Sequence, residues 1–258
     1  MGRAVVCAHL QLSGLIAMIK PMKILSHYRK LFKFALRGDR GFYQAREYLA
    51  TILIEELEEF VDLKNKKVLD IGGERGEFAK ILAEKRKCQA VNLEPTKHPQ
   101  GFVHKTILAS AEKLPFKNGE FDLVLFRGVL QHIPINKKLK SLSEIHRVLK
   151  KDGTVYLMIP PWYSPLSGQN IKPFQLFGFR VARHLRNSIF GSNVQANSLA
   201  ELGLWPMTFS STQKIIKQAN FQIIKTTDIL GRCHFLTKIP LLREVLVNSA
   251  GFILQKKS

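Results

Sequence analysis

Cysteine is scarce: Cys7, Cys88 and Cys233 lie far apart, are odd in number and include no CxxC pair. A disulfide framework and a thiolate zinc site are therefore excluded, no metal site is expected, and a reducing, cytoplasmic setting fits best. Acids are also few. Asp and Glu number 20 against 40 Lys and Arg, a formal net charge of +20 over 258 residues. Such an excess argues for an anionic partner, whether nucleic acid, lipid headgroups or a phosphorylated substrate. Long hydrophobic runs are missing. Residues 4–19 are apolar but carry His9, Gln11 and Ser13, and they fall short of the roughly 20 residues that a membrane span needs. What remains, 45% hydrophobic and 23% charged, is the composition of an ordinary globular chain large enough for one α/β domain.

The pattern along the chain divides it. Between residues 20 and 40 stand Lys20, Lys23, Arg29, Lys30, Lys33, Arg37 and Arg40 against one acid, Asp39, with Leu25, Leu31, Phe32, Phe34 and Leu36 interleaved. This reads as a basic N-terminal extension, residues 1–42, suited to an anionic membrane surface or to packing on its own domain. A helix is predicted over residues 43–63 from Tyr48, Leu49, Ile52, Leu53, Leu57, Phe60 and Val61 at helical spacing. From Lys67 strands and helices alternate, the signature of βαβ units and a parallel sheet: strands near 68–71, 90–93, 121–126, 154–159, 221–227 and 251–255, with helices between several of them. Residues 160–206 break this rhythm with Pro, Gly and aromatics and read as an inserted lid. Residues 43–258 thus form one domain of a doubly wound, Rossmann-like α/β class.

The most informative stretch is residues 67–83, KVLDIGGERGEFAKILA. A strand ending in Asp70 that runs through Gly72, Gly73 and Gly76 into a helix lets backbone approach a ligand at the sheet's carboxyl edge. Glu74 breaks the dinucleotide spacing G-x-G-x-x-G and would repel a pyrophosphate, whereas a ligand with a positive centre and no phosphate would tolerate it. Glu94 lies at the tip of the next strand, in AVNLEPTK, where a carboxylate can accept both hydroxyls of a ribose.

The ordered segments VLDIGGERG, NLEP, SAEKLPFKNGEFDLVLFRGVLQHIP and EIHRVLKKDGTVYLMIPP resemble the motifs of class I S-adenosylmethionine-dependent methyltransferases. They are most similar to the type 11 group, which includes quinone-, lipid- and glycan-modifying enzymes. That resemblance implies a seven-stranded Rossmann-like sheet and S-adenosylmethionine as cofactor. It further implies that Asp70, Gly72, Gly73, Glu74 and Gly76 line the methionine part and that Glu94 and Pro95 hold the ribose. Ser110, Ala111 and Glu112 would flank the adenine, and Phe126 with Arg127 would close the site from the fourth strand. Two residues depart from the family pattern: Glu74 replaces its middle glycine and Ser110 an acid.

His132, in GVLQHIP, is the candidate general base for an oxygen nucleophile, and equally a residue that organises its loop. In the lid, Trp162, Tyr163 and Arg180 are candidate substrate-facing residues among Phe174, Phe177, Phe179, Lys172, Arg183 and Arg186, a mixture suited to an amphiphilic or anionic acceptor. The expectation is a methyltransferase acting on a small molecule, lipid or glycan, with peripheral contact to an anionic membrane. An RNA methyltransferase is the alternative from the charge, and a cofactor-free protein of the same fold is the alternative from Glu74 and Ser110.

Overall fold

The computed structural model describes residues 26–165 apart from 28 and 35, and residues 171–228, 239–247 and 249–257. Cys7, Cys233 and the apolar stretch 4–19 lie outside the described residues. Helix α1, Gly38–Leu57, buries Ala50, Leu53, Ile54 and Leu57, spaced to share one stripe of a helix. Strand β1, Lys67–Ile71, follows, then α2, Glu77–Arg86, β2, Gln89–Glu94, β3, Thr106–Leu108, and β4, Phe121–Arg127. A short turn of 3-10 helix, Leu130–His132, leads to α3, Ile135–Val148, and β5, Leu149–Ile159. The insertion contains α4, Phe179–Phe190; α5, Phe209–Gln218, β6, Phe221–Asp228, α6, Pro240–Val245, and β7, Ala250–Lys256, complete the order.

The seven strands form one sheet in the order β3-β2-β1-β4-β5-β7-β6. β1 to β5 run parallel, and β7 enters antiparallel between β5 and β6. Central strands are apolar on both faces because helices cover both, and their side chains alternate sides. In β4, Leu123 and Leu125 pack with Val68 of β1, Phe78 and Leu82 of α2, and Leu53 and Leu57 of α1. Val124 and Phe126 pack on the other side with Leu142 and Ile145 of α3 and Phe209 and Ile216 of α5. The chain reverses its direction of progress across the sheet between β1 and β4, the place where doubly wound folds open a crevice at the strand carboxyl ends.

Several boundaries differ from the sequence reading. α1 begins at Gly38 and ends at Leu57, so it crosses residue 42; the stretch 58–63 is a succession of tight turns, Phe60 N–H and Val61 N–H both donating to Leu57 O. β3 is only three residues long and half exposed, which leaves it no apolar run to read. β5 starts at Leu149, before Asp152-Gly153, and absorbs those residues in a register shift against Phe121 and Leu123. α4 lies inside the segment read only as a lid, and α6 in a stretch left unassigned.

Candidate active site

The loop from β1 to α2 is shaped by close approach. Gly72 has φ +70°, and a Cβ there would lie 2.3 Å from Val129 Cγ2, so only glycine lets this loop meet the one after β4. At Gly73 a Cβ would fall 2.4 Å from Asp70 Oδ2 and 2.5 Å from Asn92 Oδ1. Glu74 takes a left-handed conformation, φ +55°, the geometry that a glycine supplies without strain. Three contacts hold it there. Its N–H donates to Glu94 Oε1, its carbonyl accepts from Asn92 Nδ2 at 3.0 Å, and its carboxylate pairs with Arg46 Nη1 at 2.6 Å. The side chain is thus drawn toward α1.

Around this loop gathers a cluster of charge. Arg46 also reaches Glu77, in the first turn of α2, at 3.3 Å. Arg127, the last residue of β4, stacks its guanidinium 3.3 Å from the Phe78 ring centroid and stands 3.6 Å from Asp70 Oδ1. Asp70 is 1% exposed, its oxygens have no hydrogen-bond partner among the described residues, and burial raises its pKa despite Arg127. Burial also lowers the Arg127 pKa, though a guanidinium stays charged at neutral pH. Glu94 is pushed up to about 7, chiefly by burial and further by Asp70 and Glu74, against the opposing pull of the Glu74 N–H. Its second oxygen, Oε2, receives no hydrogen bond from a described residue.

The remaining predicted residues are distributed unevenly. Gly76, φ +87°, ends the loop as the residue before α2. Pro95 follows Glu94 in an exposed turn. Ser110 is exposed and its Oγ accepts the Glu112 N–H at 3.3 Å; Ala111 is half buried, and the Glu112 carboxylate pairs with Lys137 at 3.1 Å. Phe126 lies fully buried in the core beside α3, on the side of the sheet away from Arg127, so of these two neighbours only Arg127 joins the charged cluster. Arg46, Asn92 and Glu77 were not anticipated. Asn92 had a signal, a polar residue at an inward position of a buried strand; Arg46 had none, since it reads as one cation on a solvated helix face.

The insertion is stitched to the loop after β4. Trp205 N–H donates to Gln131 O at 2.7 Å, and the ammonium of Lys138, 2% exposed, donates to Trp205 O at 2.7 Å. Burial pushes the Lys138 pKa down to about 8. His132 is exposed, with Nδ1 3.0 Å from Gly203 O. A carbonyl can only accept, so Nδ1 carries the proton and a neutral ring keeps Nε2 as its basic lone pair. Trp162 N–H donates to Met207 O, and Gln175 Nε2 spans Trp162 O and Ser164 O. Tyr163 is 45% exposed, and Arg180 stands on the outer side of α4.

Residues 43–226 match the methyltransferase domain family. The chain belongs to that family. An uncharacterized methyltransferase of Mycobacteroides abscessus is 27% identical over 88% of this chain and 91% of its own. Among solved structures, a SAM-dependent methyltransferase of Archaeoglobus fulgidus superposes with TM-score 0.55 at 15% identity, covering 89% of this chain and all of that one. The 1,6-didemethyltoxoflavin N1-methyltransferase of Burkholderia thailandensis, solved with its substrate and S-adenosylhomocysteine, gives 0.53 at 14% identity over 92% and 89%. These likenesses establish the fold of the methyltransferase.

The donor set fits the adenosyl sulfonium cofactor that the sequence motifs imply. Asp70, Glu74, Glu77 and Glu94 place four carboxyl groups around two guanidiniums, Arg46 and Arg127, and a ligand with sulfonium and ammonium centres would draw the raised Asp70 and Glu94 toward their ionised forms. Among the described residues no group of three or more His, Cys, Asp or Glu is placed to hold a metal ion, and no helix is long and apolar enough to cross a membrane.

Proposed function

We propose that this methyltransferase takes its methyl group from S-adenosylmethionine and passes it to a small-molecule, lipid or glycan acceptor of amphiphilic character. The observation that carries this reading is the meeting of Glu94 with the glycine loop, which itself packs on the loop after β4 that carries His132 and is tied to the aromatic and basic insertion. When bound, the cofactor supplies an activated methyl group on a positive sulfur, and transfer is a displacement that needs orientation and desolvation more than acid or base.

The chain's residues divide that work. Glu94 accepts ribose hydroxyls with Oε2 while the Glu74 N–H holds Oε1 in place. Asp70, kept beside Arg127, presents buried negative charge at the methionine end, and Arg46 braces the loop through Glu74 and Glu77. His132 Nε2 accepts the proton that an acceptor hydroxyl releases, its ring aimed by the Gly203 carbonyl. Trp162 and Tyr163 enter the insertion directly after β5 and offer apolar walls with polar tips.

The charge of +20 favours RNA as a second reading, yet the basic residues are spread over the N-terminal extension, residues 137–151 and the insertion and form no recognisable RNA module. A labelled methyl donor offered with lipid, glycan and RNA extracts tests both. Label in the organic-soluble or glycan fraction is expected; label confined to RNA, with binding that weakens steeply in salt, overturns the proposal. Calorimetry with S-adenosylmethionine and S-adenosylhomocysteine tests the cofactor directly, and failure of both to bind removes it.

A further inference from the structure

The outer surface of the insertion combines positive charge with exposed apolar side chains. Residues 160–200 contain no Asp or Glu, while Lys172, Arg180, Arg183 and Arg186 all fall within them. Arg183 donates to Ala196 O and Asn197 Oδ1, and Arg186 to Lys172 O and Ser192 Oγ. These acceptors are neutral, so the contacts rigidify the insertion without cancelling its positive charge.

α4 rests on the domain by its smallest apolar side chain. Ala182 is its one buried residue, whereas Val181, 50% exposed, and Ile189, 60% exposed, stand in water with the half-buried Leu185 between them at four-residue spacing along one stripe. The turn before the helix adds Leu176 and Phe177, 53% and 65% exposed. Packing of Phe174 against Phe190, centroids 6.0 Å apart, holds this turn beside the end of α4. Arg180 and His184 flank the stripe on its polar side. An apolar stripe left in water beside unneutralised cations is the pattern of a helix lying in a lipid interface.

We infer that this face of the insertion docks the enzyme on an anionic lipid bilayer. The aliphatic side chains enter the acyl boundary while Lys172 and Arg180 meet lipid phosphates. RNA suits the face less well, because Leu176, Val181 and Ile189 are aliphatic and offer bases no stacking surface, which leaves the rings of Phe177 and Phe190 alone to do so. A second copy suits it poorly too, because two such faces would oppose like charges. The insertion leaves the sheet's carboxyl edge at Trp162 and returns to it at Trp205. The inference stands apart from methyl transfer, since binding to lipid is read without turnover.

Flotation of the full chain with vesicles tests it. The protein is expected to float with vesicles of phosphatidylcholine mixed with phosphatidylserine, to stay behind with phosphatidylcholine alone, and to be released as salt rises. The combined change Phe177→Ser, Val181→Ser and Ile189→Ser should lower partitioning about tenfold or more, with an unchanged far-ultraviolet spectrum. Hydrogen exchange on the unmodified chain provides a measurement independent of variants: residues 176–190 should gain protection when anionic vesicles are added. Absence of flotation, equal flotation with both lipids, undiminished partitioning of the folded variant, or protection confined to other segments overturns the inference. So does RNA binding or a dimer that the triple change abolishes.

Discussion

Around the glycine loop, side chains hold one another through charge, whereas the insertion beyond β5 is held through backbone carbonyls. In the first region Arg46 pairs with Glu74 and Glu77, the Glu74 N–H donates to Glu94, and Arg127 pairs separately with Asp70. In the second, Lys138, His132 and the Trp205 N–H each clasp a main-chain oxygen, Trp205 O, Gly203 O and Gln131 O. Charge networks depend on side-chain identity, so the first region is committed to one ligand. Carbonyl clasps read only the path of the backbone, so the sequence they hold can vary with the acceptor. The comparison teaches that the glycine loop is specified by side-chain chemistry and that the insertion is attached through the path of its backbone.

The largest effect that sharpens this division is expected at His132. His132→Gln should lower kcat about 100-fold and remove the limb of the pH-rate profile that reports a base, with cofactor affinity unchanged in calorimetry. A change in acceptor KM alone would make His132 purely a part of the clasp.

Next comes Glu94. Glu94→Ala should weaken cofactor binding about tenfold or more through loss of charge-assisted hydrogen bonds. Because burial lifts the Glu94 carboxyl to about 7, the ionised form that the ribose needs is depleted as pH falls. Affinity should therefore drop about tenfold from about pH 8 to about pH 6, and Glu94→Gln should flatten that dependence. The stability sign is opposite. An acid whose folded pKa is raised destabilises the fold once pH exceeds its unfolded value, so Glu94→Gln should raise Tm near neutrality and progressively less toward acid pH.

Smaller changes probe the joints. Lys138→Met leaves Trp205 O without its partner and should raise acceptor KM about fivefold while cofactor affinity holds, a split read from steady-state kinetics and calorimetry. Glu74→Gly should alter cofactor affinity by no more than about twofold. It relieves a left-handed residue, worth about 1 kcal/mol, and loses a partly exposed ion pair to Arg46 of similar size. A large loss would mean that Arg46 acts on the loop chiefly through Glu74.

Much of the first region was legible in the sequence because its determinants are local. Asp70, Gly72, Gly73 and Gly76 are contiguous, and their spacing follows from a strand turning sharply into a helix. Glu94 was legible because a carboxylate tipping the next parallel strand lands beside that turn. The central strands were visible as apolar runs. Arg46 was hidden because its role depends on how α1 lies across α2, a relation that no local pattern encodes. Phe126 and Arg127 show the same limit within one strand: adjacent residues face opposite sides, and only the packed sheet says which side holds the crevice. α4 was obscured by arginines on its polar face and by Pro and Gly before it.

By itself the sequence determined the class of fold, the glycine turn, the carboxylate that tips β2 and the excess of positive charge, since each is written in short-range spacing or in composition. Tertiary structure alone decided that Glu74 is turned toward Arg46, that Lys138 and His132 fasten the insertion, and that α4 leaves Val181, Ile189 and Phe190 in water. Those outcomes follow from long-range packing, in which a side chain's partner is chosen by which elements the sheet brings together.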